Sequence, residues 1–426
     1  MVVLRTGLCL AIAFSVLAFG AVEVWSAAIL EIGAALLLLG WAILMWQDGS
    51  IRLQWNELNW PLLGLLVIGL LQILFRETAY AFLTRQELLR LAAYFVIFFV
   101  AAQAFRKRSD FSVMAWFLML FCFAVSLLGI IQHFTSEKEI YWLSTLNIQG
   151  DSFGPFVNRN HFAGFVELTL PAGLGLMVFQ GIPAQLFPLA TVLTIVPVSA
   201  LVLSGSRGGI LGFAFELCVL AALARKRRSG QGPRVVALGI VAFAAVSLVA
   251  WIGAGKAIQR FSTATRDLSV SRRASMFRGA ASIFRAHPVI GSGLGTLVSV
   301  YPRYETVYDG YVVGHVHNDY IEMLAETGVA GGICGLTFLW LFYREARKGF
   351  EAETSRFGLG LRAGAIVAVS GLLLHSFIDF NLHIPSNVLL FLLQSFLATA
   401  DPIAREGHGE DHRNRGREYG IAAGPA

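Results

Sequence analysis

GHVHNDYIEMLAETGVAGG, residues 314–332, sets two histidines, an amide and three carboxylates at the mouth of a segment that then turns almost wholly apolar. A polar entrance followed by an apolar run to Tyr343 reads as a helix that starts at an interface and crosses a bilayer. Asp319 followed by Glu322 three residues later is a helix-start pattern, with Asp319 the expected cap. His317 then precedes the first turn, where unpaired backbone N–H groups and the positive dipole end favour an anion. The same field favours neutral imidazole, a proton acceptor. A neutral base beside an anion site suits group transfer from a phosphorylated donor. Two other readings stand beside it: His315-x-His317 as a zinc site, or a polar loop that only faces water.

The rest of the chain extends the apolar pattern. Of 426 residues, 56% are hydrophobic and 14% charged, where soluble domains carry about a quarter charged residues. The expected fold is all-α: a polytopic membrane protein of about 12 transmembrane helices, each near ~20 residues, with a large helical periplasmic loop. The apolar stretches are 5–22, 27–46, 60–75, 87–104, 111–132, 161–180, 184–204, 208–224, 235–253, 320–343, 360–378 and 386–400. The first resembles a signal peptide but reads as a retained span, because so many others follow. Cys9, Cys122, Cys218 and Cys334 all fall in apolar stretches without ligand spacing, and read as small core residues.

Short basic connectors orient the bundle. Arg106-Lys107-Arg108, Arg225-Lys226-Arg227-Arg228 and Arg344 with Arg347-Lys348 all become cytoplasmic if the N-terminus is cytoplasmic. Residues 133–160, 204–208, 254–319 and 379–385 then lie on the outer side. The net charge of +6 is therefore a topology signal rather than a nucleic-acid footprint. The expected division is 1–157, the first five spans; 158–400, the remaining spans with loop 254–319; and 401–426, a disordered cytoplasmic tail. That loop holds eight cations (Lys256, Arg260, Arg266, Arg272, Arg273, Arg278, Arg285, Arg303) against Asp267, Glu305, Asp309 and Asp319. Lipid headgroups or a diphosphate would answer this excess.

Four polar clusters share the outer edge. Ser204-Gly205-Ser206-Arg207-Gly208-Gly209 is either a ligand-approaching turn or one whose arginine snorkels to headgroups. Ser271–Ala286, with Arg272, Arg273 and Arg278, has helix-like composition and ends before Pro288. The glycines at 291, 293 and 295 that follow resemble a phosphate loop only weakly. Asn158-Arg159-Asn160-His161 and His375–Pro385 complete the set. Within the spans, Glu167, Glu216 and Glu326 are unusual, and keep a transporter open as the rival class. Gly331 and Gly335 read as close helix packing.

In this order the motifs resemble the O-antigen ligase and polymerase superfamily of bacterial envelope proteins. The resemblance rests on His317-Asn318, nine residues, then Gly328-x-x-Gly331; on Ser206-Arg207-Gly208-Gly209; and on Arg273 with Phe277, His287-Pro288 and Gly291-x-Gly293. The family usually has Trp where Phe277 stands. Coverage runs from Asn158 to Pro385. The resemblance implies a glycosyltransferase needing neither metal nor other cofactor, in the bacterial inner membrane with its active site facing the periplasm. Its donor would be a glycan on undecaprenyl diphosphate and its acceptor a glycolipid such as lipid A–core; chain polymerisation and protein glycosylation are the alternatives. His317 matches the catalytic base, and Arg207 and Arg273 match arginines that hold the diphosphate. Asn318, His315, Arg272 and Asn160 are carried as neighbours in substrate binding.

Overall fold

The computed structural model describes residues 1–49, 53–136, 139–143, 151–227, 268–306, 308, 310 and 312–400. Among them every long element is a helix, and the sole β feature is an isolated bridge between Phe153 and Phe156. Eight helices are long and apolar enough to cross a membrane: α2 (Val24–Gln47), α4 (Ala81–Ala104), α5 (Arg108–Thr135), α6 (Arg159–Val178), α7 (Phe187–Ser204), α8 (Arg207–Lys226), α10 (Asp319–Ala352) and α11 (Arg356–His375). Three shorter apolar helices are α1 (Val2–Leu17), α3 (Asn59–Leu74) and α12 (Pro385–Thr399). Helix α9 (Leu268–Ala286) carries the arginine cluster. The expected span 235–253, the loop part 254–267, Arg228 and the tail 401–426 lie outside the described residues.

Two helices outrun their apolar stretches. Helix α4 starts at Ala81 rather than 87, and α10 continues to Ala352 rather than 343. Arg347 and Lys348 therefore sit on a helix, paired with Glu351 at 3.0 Å and Glu345 at 3.0 Å. Such (i, i+4) and (i, i+3) pairs let the helix run on past the apolar segment. The cysteine reading needs correction: Cys122 is buried, Cys9 and Cys334 are half-buried, and Cys218 is exposed.

Helices α6 and α11 form the buried centre, and glycine lets them approach. A Cβ at Gly175 would overlap the Gly360 carbonyl, and one at Gly364 would overlap that of Pro171. Small residues at a crossing allow backbones to meet where no hydrophobic force distinguishes helix from lipid. Around this centre the other helices alternate in direction. One end gathers the basic connectors: Arg5 pairs with Asp110, and Lys226 reaches Glu351 at 2.7 Å. The opposite end gathers the start of α6, the α7–α8 turn, α9, the start of α10 and the α11–α12 connector.

Helix α10 is broken near its start. Gly328 has φ 63° inside the helix, a conformation L side chains rarely adopt. The amides this break releases find partners in residues 288–289: Val329 N–H donates to the Pro288 carbonyl at 2.8 Å and Ala330 N–H to that of Val289 at 3.0 Å. In return Ser292 N–H donates to Ala325 at 3.0 Å and Gly293 N–H to Glu326 at 3.1 Å. The glycine-rich loop has its own acceptor built in, because the Glu326 carboxyl group accepts from Gly295 N–H and Leu297 N–H, both at 2.9 Å. This accounts for Glu326 without an ion pathway. Gly331 and Gly335 pack on Thr327 and Met323 of their own helix across the break, not on a neighbouring helix. Gly328→Ala should cost about 1–3 kcal/mol, from strain at positive φ and overlap with Val289. A lowered thermal midpoint for the purified protein checks this; an unchanged midpoint would mean that the break relaxes freely.

Candidate active site

The α11–α12 connector, residues 376–384, is the hub of the polar end. It offers successive acceptors to different elements. The Ser376 carbonyl accepts from Asp319 N–H at 3.0 Å, and the Phe377 carbonyl from Asn318 Nδ2 at 2.9 Å. The Ile378 carbonyl accepts from Arg273 Nη1 at 2.8 Å. The Asp379 carboxylate then takes His317 Nδ1 at 3.2 Å on one oxygen and Asn160 Nδ2 on the other. Hence His317, Asn318, Arg273 and Asn160, dispersed over 159 positions of sequence (160 to 318), meet on three consecutive residues, 377–379.

Each contributor is fixed locally. Asn158 caps α6 by accepting from Asn160 N–H at 2.9 Å, which points Asn160 at the connector. Gly205, at φ 65°, ends α7, and Ser206 caps α8 by accepting from Gly209 N–H at 3.2 Å. Arg207 is thereby the first residue of α8, half-buried. A Cβ on the adjacent Gly208 would overlap the His375 ring and lie 3.1 Å from Ile378 Cδ1. This sets the start of α8 against the same connector that receives Arg273. Arg272 is half-buried one residue earlier in α9.

The start of α10 differs from the expected one. Asn318 is the cap, accepting from Tyr320 N–H and Ile321 N–H at 3.0 Å each. Asp319 lies in the first turn, where it accepts from Leu382 N–H at 3.1 Å and engages His383 Nδ1 at 2.7 Å. Glu322 closes no capping box; it accepts from Val316 N–H at 2.9 Å and meets His315 Nδ1 at 2.6 Å. An asparagine cap frees both carboxylates to bind other elements. His317 itself holds φ 54°, left-handed for a side chain that rarely adopts it.

Electrostatically, the nearest partner of His317 is Asp379 rather than the helix end. Burial pushes the Asp379 pKa up, but the hydrogen bond and charge of His317, with the charges of His161 and His375, hold it well below the usual carboxylate range. With Asp379 ionised, the hydrogen bond puts a proton on His317 Nδ1, and Nε2 is the atom of the neutral ring that can accept one. Phe380 stands at the centre of three imidazoles. Its ring stacks on His315 at 4.4 Å and meets His317 and His161 edge-on at 4.9 and 4.7 Å. His315 thus lies flat against Phe380, whereas His317, bonded to Asp379, meets the ring edge-on.

His315 has its own cluster. His315, Glu322 and His383 present ligand atoms within 4.8 Å of one another, so a metal ion would find three donors there. The protons present favour a different occupant. Burial lowers the His383 pKa, but the charge of Glu322 and the bond to Asp319 outweigh it and raise the value to about 10. The trio is then held by an imidazolium between two carboxylates. It borders a cavity of about 1010 Å³. Apolar residues including Leu65, Leu91, Phe338 and Leu392 line this cavity, and neither His317 nor Arg207 nor Arg273 does.

Residues 190–336 match a family model described as O-Antigen ligase. Over these residues the chain is similar to that family. No curated protein matches the chain significantly. The O-antigen ligase match takes in Arg207, Arg273, His315, His317 and Asn318, and ends before Asp379. Reading the sequence as motifs gives Asp379 and His383 no individual role, and Asp319 and Glu322 only that of a helix start. The signal for Asp379 was in the polar run His375–Pro385, but its pairing with a histidine 62 positions earlier is a tertiary fact.

Because the His383 pKa is raised from 6.5 to about 10, its stabilising charge is fully present below pH 6.5 and lost as pH rises through about 10. Thermal unfolding should therefore show wild type losing its margin over His383→Gln across the alkaline range. A constant difference between the two proteins would refute the charge assignment.

Proposed function

We propose that the chain is an O-antigen ligase-like membrane glycosyltransferase, moving a glycan from undecaprenyl diphosphate to a hydroxyl of a glycolipid acceptor such as lipid A–core. The observation that carries this reading is the meeting of His317, held by Asp379, with Arg273 and the start of α8 on one connector, within and beside a stretch of ligase-family sequence. A base and two guanidinium groups are what the transfer requires.

The acceptor hydroxyl gives its proton to His317 Nε2 as its oxygen attacks the anomeric carbon. The bond from that carbon to the diphosphate breaks, and its electron pair leaves with the diphosphate. Arg207 and Arg273 meet the charge that develops, since guanidinium stays protonated and bonds phosphate in a fork. Asp379 orients the imidazole and stabilises its protonated form, the role an aspartate plays behind a catalytic histidine. The cavity beyond Phe380 is apolar and long enough in volume for an isoprenyl or acyl chain, placing the lipid on one side of the ring and the reacting sugar on the other. The polar end faces the periplasm in this reading, supported by the basic connectors at the opposite end.

His317→Ala in purified protein supplied with lipid-linked donor should lose about a hundred- to ten-thousand-fold in transfer rate while folding normally. Arg207→Lys should also fail, because a point ammonium does not reproduce the forked contact. Wild-type rates for either variant would remove that residue from the site. Chelator treatment should leave the rate intact; its loss would revive a metal at His315, Glu322 and His383. Product analysis separates ligase, with glycan on the acceptor, from polymerase, with a lengthened lipid-linked chain.

A further inference from the structure

Two carboxylates lie buried in the bundle centre with no part in the chemistry above. Glu167 of α6 and Glu216 of α8 are fully buried, as is His375 at the end of α11. Glu167 Oε2 engages His375 Nδ1 at 2.7 Å. Among the described residues, Glu167 Oε1, both oxygens of Glu216 and His375 Nε2 have no hydrogen-bond partner. Glu167 has His375 beside it, but Glu216 has no partner, and a buried, ionised and unpaired carboxylate is too costly to persist, so the pair must hold a proton.

The packing aims these atoms at one place. A Cβ on Gly212 would overlap Glu167 Oε1 and lie 3.5 Å from the Gly371 carbonyl, while one on Gly371 would overlap Glu216 Oε1. Both carboxylates are therefore seated in the glycine-lined crossing of α8 and α11, close enough for each to act on the other's charge. Among the described residues, the other ionisable groups that face the pair are few. Cys122 of α5 lies within reach of the Glu216 charge, and His161 of α6, Asp319 of α10 and Asp379 of the connector lie within reach of His375. Helices α7 and α12, also packed on α6, carry no ionisable side chain. No arginine or lysine of these helices is paired with either carboxylate among the described residues.

We infer that Glu167, Glu216 and His375 form a proton-binding site inside the bundle, which exchanges with the catalytic edge through Asp379. His375 and Asp379 are four residues apart on one turn that closes with Ile378 N–H on the His375 carbonyl at 2.9 Å. The chain of groups runs His317, Asp379, His375, Glu167, Glu216. Each glycan transferred releases one proton from the acceptor hydroxyl, which His317 takes as the new glycosidic bond forms and the bond to diphosphate breaks. Passing that proton inward, beside the one the carboxylates already share, restores neutral His317; it then leaves by the same chain of groups to solvent at the polar edge before the next transfer, and no other atom changes hands. The coupling to transfer rests on the function proposed above; the proton site itself does not.

The test therefore has two parts. Infrared difference spectra of the protein in lipid nanodiscs, in light and heavy water and with Glu326→Gln as background to remove the other buried carboxyl group, should show the C=O stretch of a protonated carboxylic acid, absent when Glu216→Gln is added and weakened when Glu167→Gln is added. Absence of that band in the Glu326→Gln background would overturn the proton site, in favour of two ionised groups and a bound cation; this readout needs no activity. For the coupling, Glu167→Gln should lower kcat about tenfold or more, alter its pH profile and solvent isotope effect, and leave the donor KM unchanged. A band present in that background with an unaltered kcat profile in Glu167→Gln would sever the site from the reaction.

Discussion

The carbonyls of Ser376, Phe377 and Ile378 and the carboxylate of Asp379 each bind a different part of the chain, and the polar end is built on those four attachments. Past the end of α11 at His375, the carbonyls of Ser376, Phe377 and Ile378 lie outside any helix and have no intrahelical donor. In water they would be solvated; at a membrane edge they need donors from protein. Asp319 N–H, Asn318 and Arg273 supply them. The need to satisfy one helix end thus fixes the start of α10 and the position of α9, and so the distance between the imidazole and the arginine. Site geometry here follows from backbone hydrogen bonding.

Hydropathy was legible because composition alone excludes a soluble domain, and the apolar stretches fall on helices wherever they are described. The motif residues were legible too, because histidine, asparagine and arginine at an apolar boundary have few structural reasons to be there. What the sequence hides is pairing. Asn318 and Asp319 are both good caps, and only the demand of His383 for a carboxylate decides that the asparagine takes the role. The glycines at 291, 293 and 295 look like a phosphate cradle until Glu326 is seen to fill it. Gly331 and Gly335 carry the spacing of a helix-packing motif, yet face their own helix across the break at Gly328.

Phe380 explains why two histidines two residues apart do different things. With His317 left-handed at φ 54°, the backbone turns so that His315 lies flat against the aromatic ring and His317 meets it edge-on. The His317 imidazole meets a single buried carboxylate, Asp379. His315 instead joins Glu322, and His383 bridges Glu322 and Asp319. A residue with φ below zero at position 317 would abolish this division, which is why strain is worth about 1–3 kcal/mol at such a place.

The same division separates solvents. The cavity beside His315 is lined chiefly by aliphatic and aromatic side chains, whereas the groove over residues 377–379 is ringed by guanidinium, amide and carboxylate. A substrate with a long hydrocarbon and a charged head has two incompatible demands, and a single pocket could meet one only by leaving the other exposed. Placing a ring of Phe380's size at the junction lets each half keep its own dielectric. Under the function proposed above, charge developing on a leaving diphosphate would meet the arginines while the hydrocarbon stays apart from them. The charged groups on the cavity wall, Glu87 with Arg90 and Asp319 and Glu322 with His383, are paired with one another, whereas Arg207 and Arg273 lie outside it.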